Sequence, residues 1–292
     1  MSVRHPQSAE QREDAARQVA RLRAIYAVAA GALLLFALPV YQSAVLGPAG
    51  YLAAVTPAAQ RGDFAPLLAW ITRNATADRI QRILQLVPFL LALPLPGFLY
   101  GRLWLTPEAE HARPAEAHGA EAEDAQPEGA PVATEARERT LDERTLGVGM
   151  LWSGRVGLAL FALAILLGLL TSATSASAYA GATTAPGRSA AVASFAASYV
   201  AQTLIAQVLG GLALALFLVL LTRRMSQVPL YFRLYGYLIA AVLALNALAF
   251  LFDPRQVQTP FTTGALFGLG LWLLGLGLFL PGIGREATPE AA

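Results

Sequence analysis

The residue types that most often do chemistry are scarce in this chain, and they fall outside its apolar segments. The 292 residues include three histidines, His5, His111 and His118, and no cysteine. All three histidines lie in polar stretches. None can act as a base beside a serine in an apolar run, and no pair can ligate a haem there. Without cysteine, disulfides, thiolate catalysis, iron–sulfur clusters and Cys-bound zinc are excluded. The long apolar runs carry no Asp or Glu, with Asp253 only at an edge. That removes an intramembrane aspartyl dyad, the usual carboxylate proton relay and a catalytic metal set. The chain is therefore expected to have no catalytic residue, no metal ligand, no cofactor and no enzyme activity.

What stays polar within the apolar runs is small: Gln85, Ser153, Arg155, Gln202, Thr203, Gln207 and Asn246. Counted inward from the outer ends of their spans at ~1.5 Å per residue, Gln202 lies roughly 6 Å deep, Asn246 about 9 Å and Gln207 about 13 Å. The three amides thus share a layer of one leaflet. Two readings fit such a layer. It either lines a vestibule that binds a solute, or its members hydrogen-bond between helices, which is the plainer account. Arg155 would cost ~2.5–3.5 kcal/mol at the centre of a bilayer. Trp152 and Gly154 beside it suit an interface, so Arg155 is expected to snorkel toward the nearer surface.

The elements that must carry these residues are membrane helices. The chain is 56% hydrophobic and only 14% charged, with a mean hydropathy of +0.51. Soluble domains carry about 25% charged residues. A soluble enzyme is excluded. So is a nucleic-acid partner, because a net charge of +2 with no basic face offers phosphates little. Six runs are long enough to cross a hydrocarbon core of ~30 Å. They are expected near Ala24–Ser43, Ile83–Trp104, Gly147–Thr171, Ser198–Leu221, Tyr235–Phe252 and Gly264–Gly282. The expected fold is an all-α, polytopic transmembrane helix bundle of about six spans arranged as three hairpins. Every basic residue is arginine, a bias that points to a GC-rich bacterial source.

The first span is not read as a cleaved signal peptide, since 23 mostly polar residues precede it and no A-x-A site follows. Residues 1–23 should form a polar helix, opened by a capping box at Ser8–Gln11 and leading into the first hairpin, 24–105. Between the first two spans, Asp63 is placed to cap a helix starting at Ala65–Pro66, and Thr76–Arg79 to start the next. These short helices are expected to be interfacial, with Trp70 at headgroup depth. Residues 106–145 are acidic, lack aromatics and carry scattered Pro and Gly, so most of this cytoplasmic linker should be disordered. Its end, Thr134–Arg139, can form helix into a four-span domain, 146–283. Pro186–Gly187 marks a turn within that domain, and a tail, 284–292, closes the chain.

Orientation follows from arginine. Fourteen fall in the segments expected on the cytoplasmic side and six outside. The positive-inside bias puts both termini in the cytoplasm of a bacterial inner membrane. Tyr100, Trp104, Trp152, Tyr231 and Tyr235 would then form a cytoplasmic aromatic belt. Pro88, Pro94, Pro96 and Gly97 should break the second span, and Gly210–Gly211 sits at a loosely corresponding place in the fourth.

Small residues supply the assembly signal. Gly264 and Gly268 form a G-x-x-x-G, with Gly275 one heptad further, and Gly270 and Gly277 line a second stripe. Such faces let backbones approach closely, within one chain or between chains. The functional expectation is an accessory, assembly or scaffold component that acts through helix packing. Its partners would be the lipid bilayer and either a second copy or another membrane protein. The alternative is a small transporter or channel for a neutral or lipophilic solute, using the broken second span and the amide layer of Gln202, Gln207 and Asn246.

Overall fold

The computed structural model describes residues 9–104, 133–253 and 261–282. The histidines, the capping-box Ser8, most of the acidic linker, Pro254 and the tail 284–292 lie outside the described residues. Every described element is helical. Six helical segments are long and apolar enough to cross a membrane: Asp14–Leu46, Ala75–Trp104, Glu143–Gly181, Ala185–Arg224, Leu230–Phe252 and Thr262–Phe279. The chain is a multi-pass membrane protein.

The first span begins as α1 (Ala9–Ala32) and runs through a π-helical turn at Leu33–Ala37 into α2 (Leu38–Tyr41). Pro39 has no N–H to donate, and the wide turn before it bonds Leu38 N–H to the Leu33 carbonyl instead. A second π-helical turn, Gln42–Leu46, ends the span. Two short helices follow, α3 (Tyr51–Arg61) and α4 (Ala65–Arg73). Gly50 and Gly62 bracket α3 at φ +78° and +67°, the left-handed backbone that glycine adopts without strain. Phe64 is the N-cap of α4, and Asp63, one residue before it, accepts from Ala65 N–H through Oδ1 at 3.1 Å.

The second span is α5 (Ala75–Ala92) followed by α6 (Leu95–Trp104). Pro94 and Pro96 make the break between them, as their spacing predicts; the ladder resumes with Phe98 N–H bonding the Pro94 carbonyl at 3.2 Å. The third span lies within α7 (Ala133–Gly181), a single helix of 49 residues that contains no proline. It is far longer than the expected Gly147–Thr171 and takes in the helix foreseen at Thr134–Arg139. Thr184, the N-cap of α8 (Ala185–Thr203), accepts from Gly187 N–H at 3.3 Å. Pro186 and Gly187 therefore lie inside the first turn of α8, where proline is tolerated, and the chain reverses one step earlier at Ala182–Thr184. The fourth span continues through a π-helical stretch, Leu204–Gly210, into α9 (Gly211–Arg224). α10 (Leu230–Phe252) and α11 (Thr262–Phe279) complete the bundle.

Two apolar clusters hold these helices. The larger fills the bundle and includes Leu218, Leu221, Leu243, Leu276 and Trp272. Trp272 lies between Phe217 and Phe232, with ring centroids 6.3 and 6.0 Å away. The smaller cluster packs α3 and α4 over one end of α7 and α8 through Phe64, Leu68, Ile71, Ala176 and Phe195. Trp70 belongs to this second cluster. It is buried, donates its indole N–H to the Ala49 carbonyl at 2.7 Å and meets Tyr51 edge-on. Trp70 thus faces protein, where its indole N–H finds a backbone acceptor.

The glycine stripes of α11 are spent inside the chain. A Cβ on Gly268 would collide with Ile239 of α10, one on Gly275 would lie 2.5 Å from the Phe232 ring, and one on Gly264 would just reach Val242 at 3.9 Å. On the other stripe, Gly270 faces Leu34 and Leu35, and Gly277 faces Val28. The first span completes this contact: a Cβ on Gly31 would sit 2.6 Å from the Gly270 carbonyl oxygen and 2.8 Å from Leu274 N. First and last spans touch backbone to backbone.

Candidate functional site

Three polar groupings sit at different places in the bundle. The first is at the end of α5 remote from Trp104. Asp78 and Arg82 are spaced i,i+4, and Asp78 Oδ2 accepts from Arg82 Nε at 2.9 Å. The same oxygen accepts from Ser172 Oγ of α7 at 3.1 Å. Both side chains of the ion pair are largely buried, 16% and 7% exposed for Arg82 and Asp78. Taking such a pair out of water is expensive, and the third hydrogen bond offsets part of that cost.

Around this pair lies a wider polar shell. Gln81 is buried and hydrogen-bonds Tyr51 of α3. Burial raises the Tyr51 phenol above its ordinary pKa, and the bond to Gln81 and the charge of Arg82 work against that rise. Gln202 Nε2 donates to Thr171 Oγ1 at 2.8 Å, one residue from Ser172. Gly168 makes room for this shell, because a Cβ there would meet both the Arg82 guanidinium and Gln202 Oε1. A partly open cavity of about 240 Å³ adjoins the shell, lined by Thr72, Asp78, Arg79, Ser172 and Ser177 among others. It falls just below the roughly 300–1,000 Å³ of typical small-molecule sites. Its chemistry is hydrogen bonding beside a fixed carboxylate.

The ion pair of this grouping lies on the helix of the second span, before the expected start at Ile83. α5 is one helix from Ala75, so Asp78 stands inside the second span's own helix and not in a separate segment before it. The i,i+4 Asp–Arg spacing was the available signal.

The second grouping joins three helices. Asn246 of α10 donates through Nδ2 to Gln207 Oε1 at 2.9 Å, and its Oδ1 accepts from Thr262 Oγ1 of α11 at 3.0 Å. Asn246 is 1% exposed. The structure thus divides the three amides foreseen as one layer. Gln207 meets Asn246, while Gln202 faces α7 and the Asp78 shell. Each such interhelical bond is worth ~0.6 kcal/mol on average, so Asn246→Leu should cost about 1 kcal/mol. Denaturant titration in mixed micelles measures it; an unshifted midpoint would show that these bonds carry no stability.

The third is at the Trp104 end. Trp104 donates its indole N–H to the Glu143 carbonyl at 2.9 Å, and Arg224 approaches both the Glu143 carboxylate, at 3.4 Å, and the Trp104 ring, at 5.9 Å. Gly147 accepts the Trp104 ring against its backbone. Arg155, two helical turns further along α7, is exposed and lays its guanidinium over Gly97, in the first turn of α6 after the break in the second span. It is brought together with none of Gln202, Gln207 or Asn246.

No family model, curated protein or solved structure matches the chain. Function must therefore be argued from these groupings. Among the described residues, no three His, Asp or Glu side chains converge as a metal set would require.

Proposed function

We propose that the protein is a non-catalytic integral membrane component, an accessory, assembly or scaffold subunit that works by presenting packed helices to a partner. Its three sequential helix pairs are read as hairpins in a bacterial inner membrane, with both termini cytoplasmic, as the arginine distribution favours. α3 and α4 then lie at the outer surface, over the ends of α7 and α8. The observation that carries the reading is the mutual pairing of the amides: Asn246 with Gln207 and Thr262, and Gln202 with Thr171. Amides satisfied by neighbouring helices hold a bundle together, whereas a solute vestibule needs donors and acceptors left open to its cargo.

Native mass spectrometry after gentle extraction from the source membrane tests this. A stoichiometric protein partner is the expected result. A lone chain or homo-oligomer that retains a small molecule would overturn it in favour of a second reading, a small transporter for a neutral or lipophilic solute. That reading has one observation behind it. Spans one and four contain π-helical turns and span two is broken at Pro94–Pro96, and such interruptions often accompany function.

A further inference from the structure

Among the described residues, Arg155 is an exposed cation on a membrane-spanning helix. Its guanidinium makes no hydrogen bond or ion pair with any described residue. The carboxylates of the two described ion pairs are already committed, Asp78 to Arg82 and Glu143 to Arg224. Gly97, over which the guanidinium lies, is seven residues from Trp104. That spacing lifts the charge about 10 Å above the Trp104–Glu143 layer. A cation within a span and without an acid of its own chain beside it is stabilised where a partner supplies one.

The surface around Arg155 has the form of a helix-docking groove. On α7, Val148, Trp152, Val156, Leu163, Leu166 and Leu170 are all exposed and recur at steps of three, four and seven residues. This stripe runs about 33 Å along the helix, which matches the hydrocarbon thickness. On α6, Gly97 and Gly101 form a G-x-x-x-G of which Arg155 covers Gly97 and nothing covers Gly101, where a Cβ would meet no atom within 4 Å. The α11 glycines, by contrast, are filled from within the chain. An open small residue allows a foreign backbone to approach closely, and the arginine beside it sets which helix is accepted.

We propose that the groove between α6 and α7 receives a transmembrane helix of a partner protein, whose buried Asp or Glu pairs with Arg155. The proposal rests on the accessory-subunit reading and names the surface and the chemistry through which it acts.

The test is site-specific photo-crosslinking of the full chain in its source membrane. Benzoylphenylalanine replaces Trp152 or Leu163 on the stripe, and Leu238, exposed on α10, as the control position. The expected result is one crosslinked protein from both stripe positions, mapped by peptide mass spectrometry to a membrane helix that contains Asp or Glu. The yield should fall at least tenfold with Arg155→Leu and persist with Arg155→Lys, while the melting temperature of Arg155→Leu stays within about 2 °C of the parent. A crosslink to phospholipid, to a second copy of this chain, or to a helix without an acid would overturn the proposal, as would a yield indifferent to Arg155. A partner caught only from Leu238 would overturn the groove and leave the accessory reading standing. No protein partner from any of the three positions would overturn both.

Discussion

Gly31→Leu is expected to lower the stability of the bundle by about 3 kcal/mol or more, at the upper end of overpacking effects. The reason is the kind of atom in the way. A Cβ at Gly31 meets the Gly270 carbonyl oxygen and Leu274 N, both backbone, at 2.6 and 2.8 Å. Neither can rotate aside, so α1 and α11 must separate along their whole contact. Gly268→Ile probes the neighbouring α10–α11 seam, where the obstacle is the far end of Ile239, a side chain that can choose another rotamer. It should cost less. Thermal melting and size-exclusion profiles in detergent measure both variants. Equal behaviour of Gly31→Leu and the parent protein would sink the claim that these spans meet backbone to backbone.

Asp78→Leu should have a comparable effect, a loss of about 3 kcal/mol, the lower end of the range for stripping one partner from a buried ion pair. The cost comes less from the lost bond than from what remains: Arg82, mostly buried against α7, and Ser172, whose hydroxyl keeps only the longer of its two acceptors, the Leu169 carbonyl at 3.4 Å. The double variant Asp78→Leu/Arg82→Leu is expected to recover more than half of that loss, because no uncompensated charge is left. If the double variant is as unstable as the sum of the single ones, the two side chains do not act as a pair. Asp78→Asn separates charge from shape. It keeps an acceptor for Ser172 while removing the attraction to Arg82, and it should fall between the parent and Asp78→Leu.

The six spans were legible because length and apolarity alone decide whether a helix can cross a bilayer. The break at Pro94–Pro96 was legible for a similarly local reason, the missing N–H groups. The helix ends were not. The second span is expected from Ile83, yet α5 starts at Ala75 and carries Asp78 and Arg82 into protein, where they satisfy each other. A charge can end an apolar run without ending the helix. Which neighbours the amides meet was not legible for a geometric reason. Counting residues gives height along a helix axis but not direction around it. Gln202 and Gln207 are five positions apart, which turns them by roughly 140° in a regular helix. They therefore look toward different neighbours, and the π-helical stretch from Leu204 to Gly210 shifts the second further. The glycine stripes were legible as packing faces; that both are filled by α1 and α10 of the same chain required the folded bundle.

The backbone contact between Gly31 and Gly270 also imposes an order of events during synthesis. The two glycines are separated by roughly 240 residues, and ribosomes add about 5–20 residues per second, so the first span waits roughly 10–50 s for its mate. For that interval its glycine face is in the bilayer with nothing to close it. The other four spans can insert and pair in the meantime, but the ring of helices cannot be completed until the last one arrives. A ribosome stalled before Gly264 would leave a membrane protein with an open seam along the first span, and the cell's quality-control machinery would meet it there.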